Sequence, residues 1–246
     1  AYMFRFYLAI LLNVRRGPYL IPTMRKMIKH QDQYSETTRY AYALRFIRYL
    51  MNSAKITTEV LGTENLPEEG GYVMFPNHQG KYDALGIIYA HRKPCTFVMD
   101  KKKSYGFLVR EMVDLLGAKR LELDNVRQNM IIINQISEEV QEGKKFILFS
   151  EGGYTNNGNR VQDFKPGSFK CATKAKVPII PVCLIDSYLA FNSFKTGPIN
   201  TKVIFLEPLL YDDYKDLKTI EIADIVRNRI IAKMEEFEIY QEDIKR

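Results

Sequence analysis

Apolar and polar positions divide the chain into short apolar runs alternating with longer periodic stretches. Ile56 to Leu61 reads as a strand, Pro67 to Gly71 as a turn, and Tyr72 to Phe75 as a short buried strand ending in Pro76-Asn77-His78. Tyr82 to Ala90 fits a helix, Thr96 to Met99 a strand, and Tyr105 to Leu116 a helix stopped by Gly117. Asp124 or Asn125 can cap the next helix, in which Met130, Ile133, Ile136 and Val140 keep helical spacing until Gly143. Phe146 to Phe149 is then a strand leading straight into Ser150-Glu151-Gly152-Gly153. Pro166-Gly167 opens a short helix through Lys176, Val177 to Ile185 and Lys202 to Leu206 are strands, and Ile220 to Ile239 is a long amphipathic helix. This alternation predicts an α/β fold with a mixed, largely parallel sheet flanked by helices. Ligands bind such sheets at the carboxyl ends of strands, the position held by the loops after Phe75 and Phe149.

Ahead of the first strand the pattern changes. Phe4, Phe6, Tyr7, Leu8, Ile10, Leu11 and Leu12, then Tyr19, Leu20 and Ile21, are interleaved with cations. The net charge of +7 sits here: residues 1–60 hold ten basic side chains against three acidic ones, and the rest of the chain balances. Such a mixture suits insertion at the headgroup boundary of an anionic membrane better than nucleic-acid binding. The longest unbroken apolar run, Phe6 to Leu12, is far short of the ~20 residues that cross a bilayer. No A-x-A-like cleavage site follows it, so a cleaved signal peptide is not expected. Ser35 to Lys55 is amphipathic, and its apolar face could meet either the membrane or the core with its arginines snorkelling outward. The expected division is a membrane-associating helical segment over 1–55 and an α/β domain over 56–246. The three cysteines, Cys95, Cys171 and Cys183, lack disulfide or metal spacing and read as small core residues of a reducing compartment.

His78 and Asp83 lie five residues apart, across a strand end and the start of a helix. An imidazole can take a proton from a hydroxyl nucleophile near neutral pH. A carboxylate on its other ring nitrogen fixes the tautomer and stabilises the imidazolium that forms. The spacing alone is common, and a surface histidine near a helix cap would show it too.

Asn77-His78-x4-Asp83, followed by Phe149-Ser150-Glu151-Gly152 and by Val177-Pro178-Ile179-Ile180-Pro181-Val182, resembles the glycerolipid acyltransferase family. Within it the bacterial 1-acylglycerol-3-phosphate (lysophosphatidic acid) acyltransferases are the nearest match, over about Leu61 to Leu209. The resemblance implies an enzyme in which His78 is the general base on a lysophospholipid hydroxyl, Asp83 its partner, and acyl-CoA or acyl carrier protein the donor. It implies no metal or redox cofactor, and a peripheral or monotopic place at the cytoplasmic face of the cell membrane, held through residues 1–55. Nucleic acid is not an expected partner.

The chain departs from the family in its cations. Leu123 stands where an arginine follows Gly117, and Tyr154 replaces the arginine of the usual Glu-Gly-Thr-Arg block. Lys119, Arg120 or Arg127 could supply the first charge and Lys165 or Lys170 the second, while Lys101-Lys102-Lys103 could meet phosphate or carrier-protein acids. Asn77, Lys119, Arg120, Glu151, Gly152, Gly153, Tyr154 and Lys170 are the expected substrate-binding residues. Glu151 would bind the acceptor or organise its loop. An acyltransferase for another lysophospholipid headgroup, an inactive lipid-binding homologue and a thioesterase are the rival readings.

Overall fold

The structure, a computed structural model, describes residues 3–122 and 124–242. Leu123, one of the two departures from the family pattern, lies outside the described residues.

Three helices lead: α1 (Phe4–Leu12), α2 (Gly17–Lys29) and α3 (Glu36–Ala54). The strands are β1 (Ile56–Leu61), β2 (Tyr72–Pro76), β3 (Thr96–Asp100), β4 (Lys119–Leu121), β5 (Lys145–Ile147), β6 (Ile179–Ile185) and β7 (Ile199–Phe205). Between and after them run α4 (Asp83–His91), α5 (Val109–Leu116), α6 (Val126–Gln141), α7 (Lys170–Ala175), α8 (Tyr188–Phe191), α9 (Tyr211–Tyr214) and α10 (Thr219–Glu236).

The sheet order is β1-β7-β6-β2-β5-β3-β4. β6 and β7 are antiparallel and every other neighbouring pair is parallel, so β2, β5 and β6 end on the same edge. β2 and β6 are buried along their whole length, as central strands covered on both faces must be. Alternation then sorts the side chains: Tyr72 and Met74 join the core under α1 to α5, while Val73 and Phe75 join the one under α6, α7 and α10.

The N-terminal segment divides between the two roles open to it. Ser35 caps α3 by accepting from the Thr38 N–H at 3.1 Å, and the helix buries Tyr40, Ala43, Ile47, Leu50 and Met51 in the core that holds Tyr72 and Met74. α3 therefore packs on the core. In α1 only Ala9 is fully buried. Among the described residues no helix is long and apolar enough to cross a membrane.

Two helices start four residues later than the sequence pattern predicts. The helix expected from Tyr105 starts at Val109, because Lys103–Tyr105 forms a tight turn and Leu108 takes φ +64° to bury its side chain. The helix expected from Pro166 is a 3-10 turn, Pro166–Phe169, before α7, with Phe169 stacked 4.1 Å from the ring of Phe75. Asn125, rather than Asp124, caps α6 by accepting from the Gln128 N–H at 3.1 Å. All three cysteines are buried, and burial pushes the Cys95 and Cys171 thiols up to about 12.

Candidate active site

β2 ends where Pro76 withdraws its N–H from the ladder. Asn77 continues the pairing with its side chain: its amide donates to Leu184 O at 3.0 Å and accepts from Leu184 N–H at 2.7 Å. With 1% exposure and its amide engaged in both directions, Asn77 fixes the strand end. The next residue, His78, is thereby turned out at the carboxyl edge of the sheet.

His78 Nδ1 lies 2.7 Å from Asp83 Oδ2. That oxygen also accepts the Gln79 N–H at 2.5 Å and the Gly80 N–H at 2.9 Å, while Oδ1 accepts the Ser187 hydroxyl at 2.5 Å. Asp83 is the first residue of α4, where the helix dipole favours a carboxylate, and it has no exposed surface. A carboxylate this buried and this fully bonded is fixed in place. It holds the Nδ1 proton of His78, so the lone pair lies on Nε2, the nitrogen left open to a ligand. The imidazole is set in position by Phe149, stacked at 4.1 Å, and by Tyr154, edge-on at 4.8 Å.

The turn between the pair depends on Gly80. A Cβ there would lie 2.5 Å from Asn192 Oδ1, the atom that accepts the Lys81 N–H at 2.9 Å. Burial raises the Tyr154 phenol from its ordinary value, and the nearby Asn192 amide offsets part of that rise.

Glu151 organises the second loop. Its Oε1 accepts the backbone N–H of His78 at 2.8 Å, and its Oε2 accepts the side-chain amide of Gln162 at 2.6 Å. Burial pushes its carboxyl up to about 7 despite those donors. Gly152 takes φ +74°, and a Cβ on it would lie 2.5 Å from Lys165 Nζ, so that ammonium rests against the Gly152 backbone. Lys165 is brought there by its own N–H on Ser150 O at 2.8 Å and by Ser168, whose hydroxyl bonds the Ser150 hydroxyl at 2.7 Å and the Lys165 carbonyl at 2.8 Å. Gly153 and Tyr154 complete the same loop.

The expected cations of β4 are placed otherwise. β4 is the edge strand, separated from β2 by β5 and β3. Lys119 forms an ion pair with Glu139, and Arg120 pairs with Asp114 at 2.8 Å and bonds the Ser104 hydroxyl at 2.8 Å. Within the fold both charges are paired. Lys170 is exposed at the start of α7, and the ammonium beside the Glu151 loop is that of Lys165. Arg127 is exposed in the first turn of α6.

Residues that sequence spacing did not single out include Ser187, Gln162 and Asn192. Ser187 follows the last residues of β6, so the strand-end criterion applied to β2 and β5 would also have found it. Gln162 and Asn192 lie in irregular loops with no pattern to mark them.

A family model described as Acyltransferase matches residues 57–185, a span that contains the pair, the Glu151 loop and β6. The chain belongs to this acyltransferase family. It is 25% identical over 198 residues to the 1-acyl-sn-glycerol-3-phosphate acyltransferase alpha of Mus musculus, covering 77% of this chain and 69% of the relative. It is 28% identical over 194 residues to the 1-acyl-sn-glycerol-3-phosphate acyltransferase of Borreliella burgdorferi, covering 76% of this chain and 75% of that protein. The fold of the acyltransferase matches the crystal structure of the 1-acyl-sn-glycerophosphate acyltransferase PlsC from Thermotoga maritima with a TM-score of 0.76, at 19% identity, over 96% of this chain and 95% of that one.

Proposed function

We propose that this acyltransferase moves a fatty acyl group from acyl-CoA or acyl carrier protein to the free glycerol hydroxyl of 1-acylglycerol-3-phosphate, giving phosphatidic acid, at a membrane surface. The observation that carries the reading is the His78–Asp83 bond, which occupies Nδ1 and leaves the lone pair of Nε2 to act as the base. Nε2 takes the proton of the acceptor hydroxyl as its oxygen attacks the thioester carbonyl. The tetrahedral intermediate then expels the thiolate, which receives that proton from the imidazolium, so the products are the new ester and a free thiol. Asp83 stabilises the imidazolium between the two steps. Every proton in this sequence moves between the substrates and His78, so the proposed chemistry draws on no added cofactor. Both relatives bear the name of this activity.

The membrane reading is supported by α1. Phe4, Tyr7, Leu8, Leu11 and Leu12 are exposed along one side of it, with Phe4 at 72% and Leu11 at 65%. Its single charged side chain, Arg5, is folded back onto the carbonyls of Ala54 and Lys195, both at 2.6 Å. An exposed apolar helix face of this kind is costly in water and suited to the acyl boundary of a bilayer. Met3, just ahead of α1, touches the ammonium of Lys81, so the apolar face begins beside the catalytic loop.

The test supplies acyl-CoA and acyl carrier protein separately with a panel of lysophospholipids and follows ester product and free fatty acid. Phosphatidic acid formed only when 1-acylglycerol-3-phosphate is present is the expected result. Fatty acid released without acceptor would make the protein a thioesterase, and preferential acylation of another headgroup would replace the acceptor. For the surface, Leu11→Asp should leave the thermal midpoint unchanged and abolish sedimentation with phosphatidylglycerol vesicles; retained sedimentation would remove α1 from the contact.

A further inference from the structure

Glu151 is not the only group that its loop sends back to the base. Between Tyr154 and Phe164 the chain forms no helix or strand, yet it returns twice to the segment that bears the histidine. Asn157 donates its amide to the His78 carbonyl at 3.0 Å. Two residues on, Asn159 accepts the side-chain amide of Gln79 at 2.9 Å.

Gln79 is fully buried, and its amide is bonded in every direction. Besides Asn159 Oδ1, its Nε2 donates to Leu184 O at 2.8 Å, while its Oε1 accepts the Ser187 N–H at 2.9 Å. Asn159 is used as completely. Its Oδ1 also accepts the Asp186 N–H at 2.9 Å, and its Nδ2 donates to the Asp186 carboxylate at 2.8 Å. Asp186 takes φ +60°, a left-handed conformation rare for a residue with a side chain. Such a conformation persists where its surroundings over-determine it, and Asn159 grips this turn by both its N–H and its carboxylate. The turn carries Ser187, whose N–H meets Gln79 and whose hydroxyl meets Asp83 Oδ1. Gln79 reaches the other oxygen of that carboxylate with its backbone N–H. Both oxygens of Asp83 are thus set by groups that Asn159 holds. Asn159 is itself tied down by Gln241, beyond α10, which donates to its carbonyl at 3.2 Å and accepts the Val161 N–H at 2.8 Å.

We propose that Asn159, acting through Gln79 and the Asp186 turn, is a positioning residue that holds Asp83 against His78. The proposal rests on the acyl-transfer reading above and deepens it. An acid–base pair tolerates little displacement, so loosening it lowers kcat and leaves the binding of substrates largely intact.

The test exchanges two partners. In Asn159→Asp the new carboxylate can still accept from Gln79 and from the Asp186 N–H, but it faces the Asp186 carboxylate with no proton to give. Adding Asp186→Asn puts the amide on the other side, and every bond can form again with donor and acceptor exchanged. Asn159→Asp should lower kcat about tenfold, with KM for acceptor and donor within about threefold, and the exchanged pair should return kcat to within about threefold of wild type. The Nδ1 proton of His78, followed by NMR with isotope-labelled histidine and assigned by its absence from His78→Ala, reports the bond to Asp83 without turnover. It should shift or broaden in Asn159→Asp and return in the exchanged pair. Gln79→Met, of similar length but without hydrogen bonds, should behave as Asn159→Asp does and decides the matter if that variant does not fold. An Nδ1 proton unmoved in the folded variants would overturn the proposal, as would a loss of kcat that the exchange does not recover. An Asn159-dependent proton without acyl transfer by the wild type would sustain the positioning and sink the function; transfer by the wild type with a proton indifferent to Asn159 would do the reverse.

Discussion

The two halves of the site are built in opposite ways. The base half hangs from strand ends: Asn77 prolongs β2, Asp83 opens α4, Ser187 follows β6, and every polar atom of the Asp83 carboxylate is bonded. The cation half is carried on irregular loops, by the long exposed side chains of Lys81, Lys103 and Lys165, whose positions depend on Asn192, Gly152 and the turn ahead of α5. An acid–base pair works only at hydrogen-bond distance, so its residues are tied to rigid elements at a fixed spacing. A phosphate responds to summed charge nearby, so its partners can come from any loop that reaches. Substitutions in the base half should therefore act on kcat and be intolerant of small changes; those in the cation half should act on KM and tolerate them.

The largest effect expected from this contrast is that of Asp83→Asn. Its amide would present a donor to the Gln79 and Gly80 N–H groups or to His78 Nδ1, and the imidazole would lose its tautomer. Turnover should fall on the order of 10³-fold or more, read as kcat with saturating substrates. Glu151 gives a pH test. Its folded carboxyl titrates near about 7, above the ordinary 4.5, so the folded state keeps the proton longer than the unfolded chain. The stability this contributes is full below about pH 4.5 and is lost as pH rises through about 7, a change of about 3 kcal/mol. Urea unfolding of wild type and Glu151→Gln across that range should show the slope in the first and a flatter curve in the second. Ser187→Ala removes one of the four bonds to Asp83 and should destabilise by about 1–2 kcal/mol, with kcat reduced about tenfold. The smallest effect belongs to the cation half: Lys103→Arg should leave KM within about threefold, since charge is kept and its geometry is free. A tenfold loss there would mean that the loop site also has a fixed register.

The same contrast explains what was legible in the sequence. β2 and β6 were readable because strands buried on both faces are continuous apolar runs, and His78 stood out because it follows one of them. Asp83 was readable because a helix N-terminus five residues later can turn a carboxylate back. The placement of the cations was not, since Lys119, Arg120 and Lys165 look alike in a one-dimensional pattern; only packing reveals that the first two meet Glu139 and Asp114 while the third rests on Gly152. The start of α5 was missed for a related reason. The apolar residues from Tyr105 to Leu108 fit a helix, but the burial of Leu108 at φ +64° turns Tyr105 and Phe107 outward instead. In α3, amphipathicity left core and membrane equally open, because snorkelling arginines give both the same pattern.

The most direct test of the central claim is phosphatidic acid formation by His78→Ala, measured beside wild type with saturating 1-acylglycerol-3-phosphate and acyl donor. The account predicts a fall in kcat of about 10²- to 10⁴-fold with the fold intact by circular dichroism. Turnover equal to wild type in a folded His78→Ala protein would contradict it.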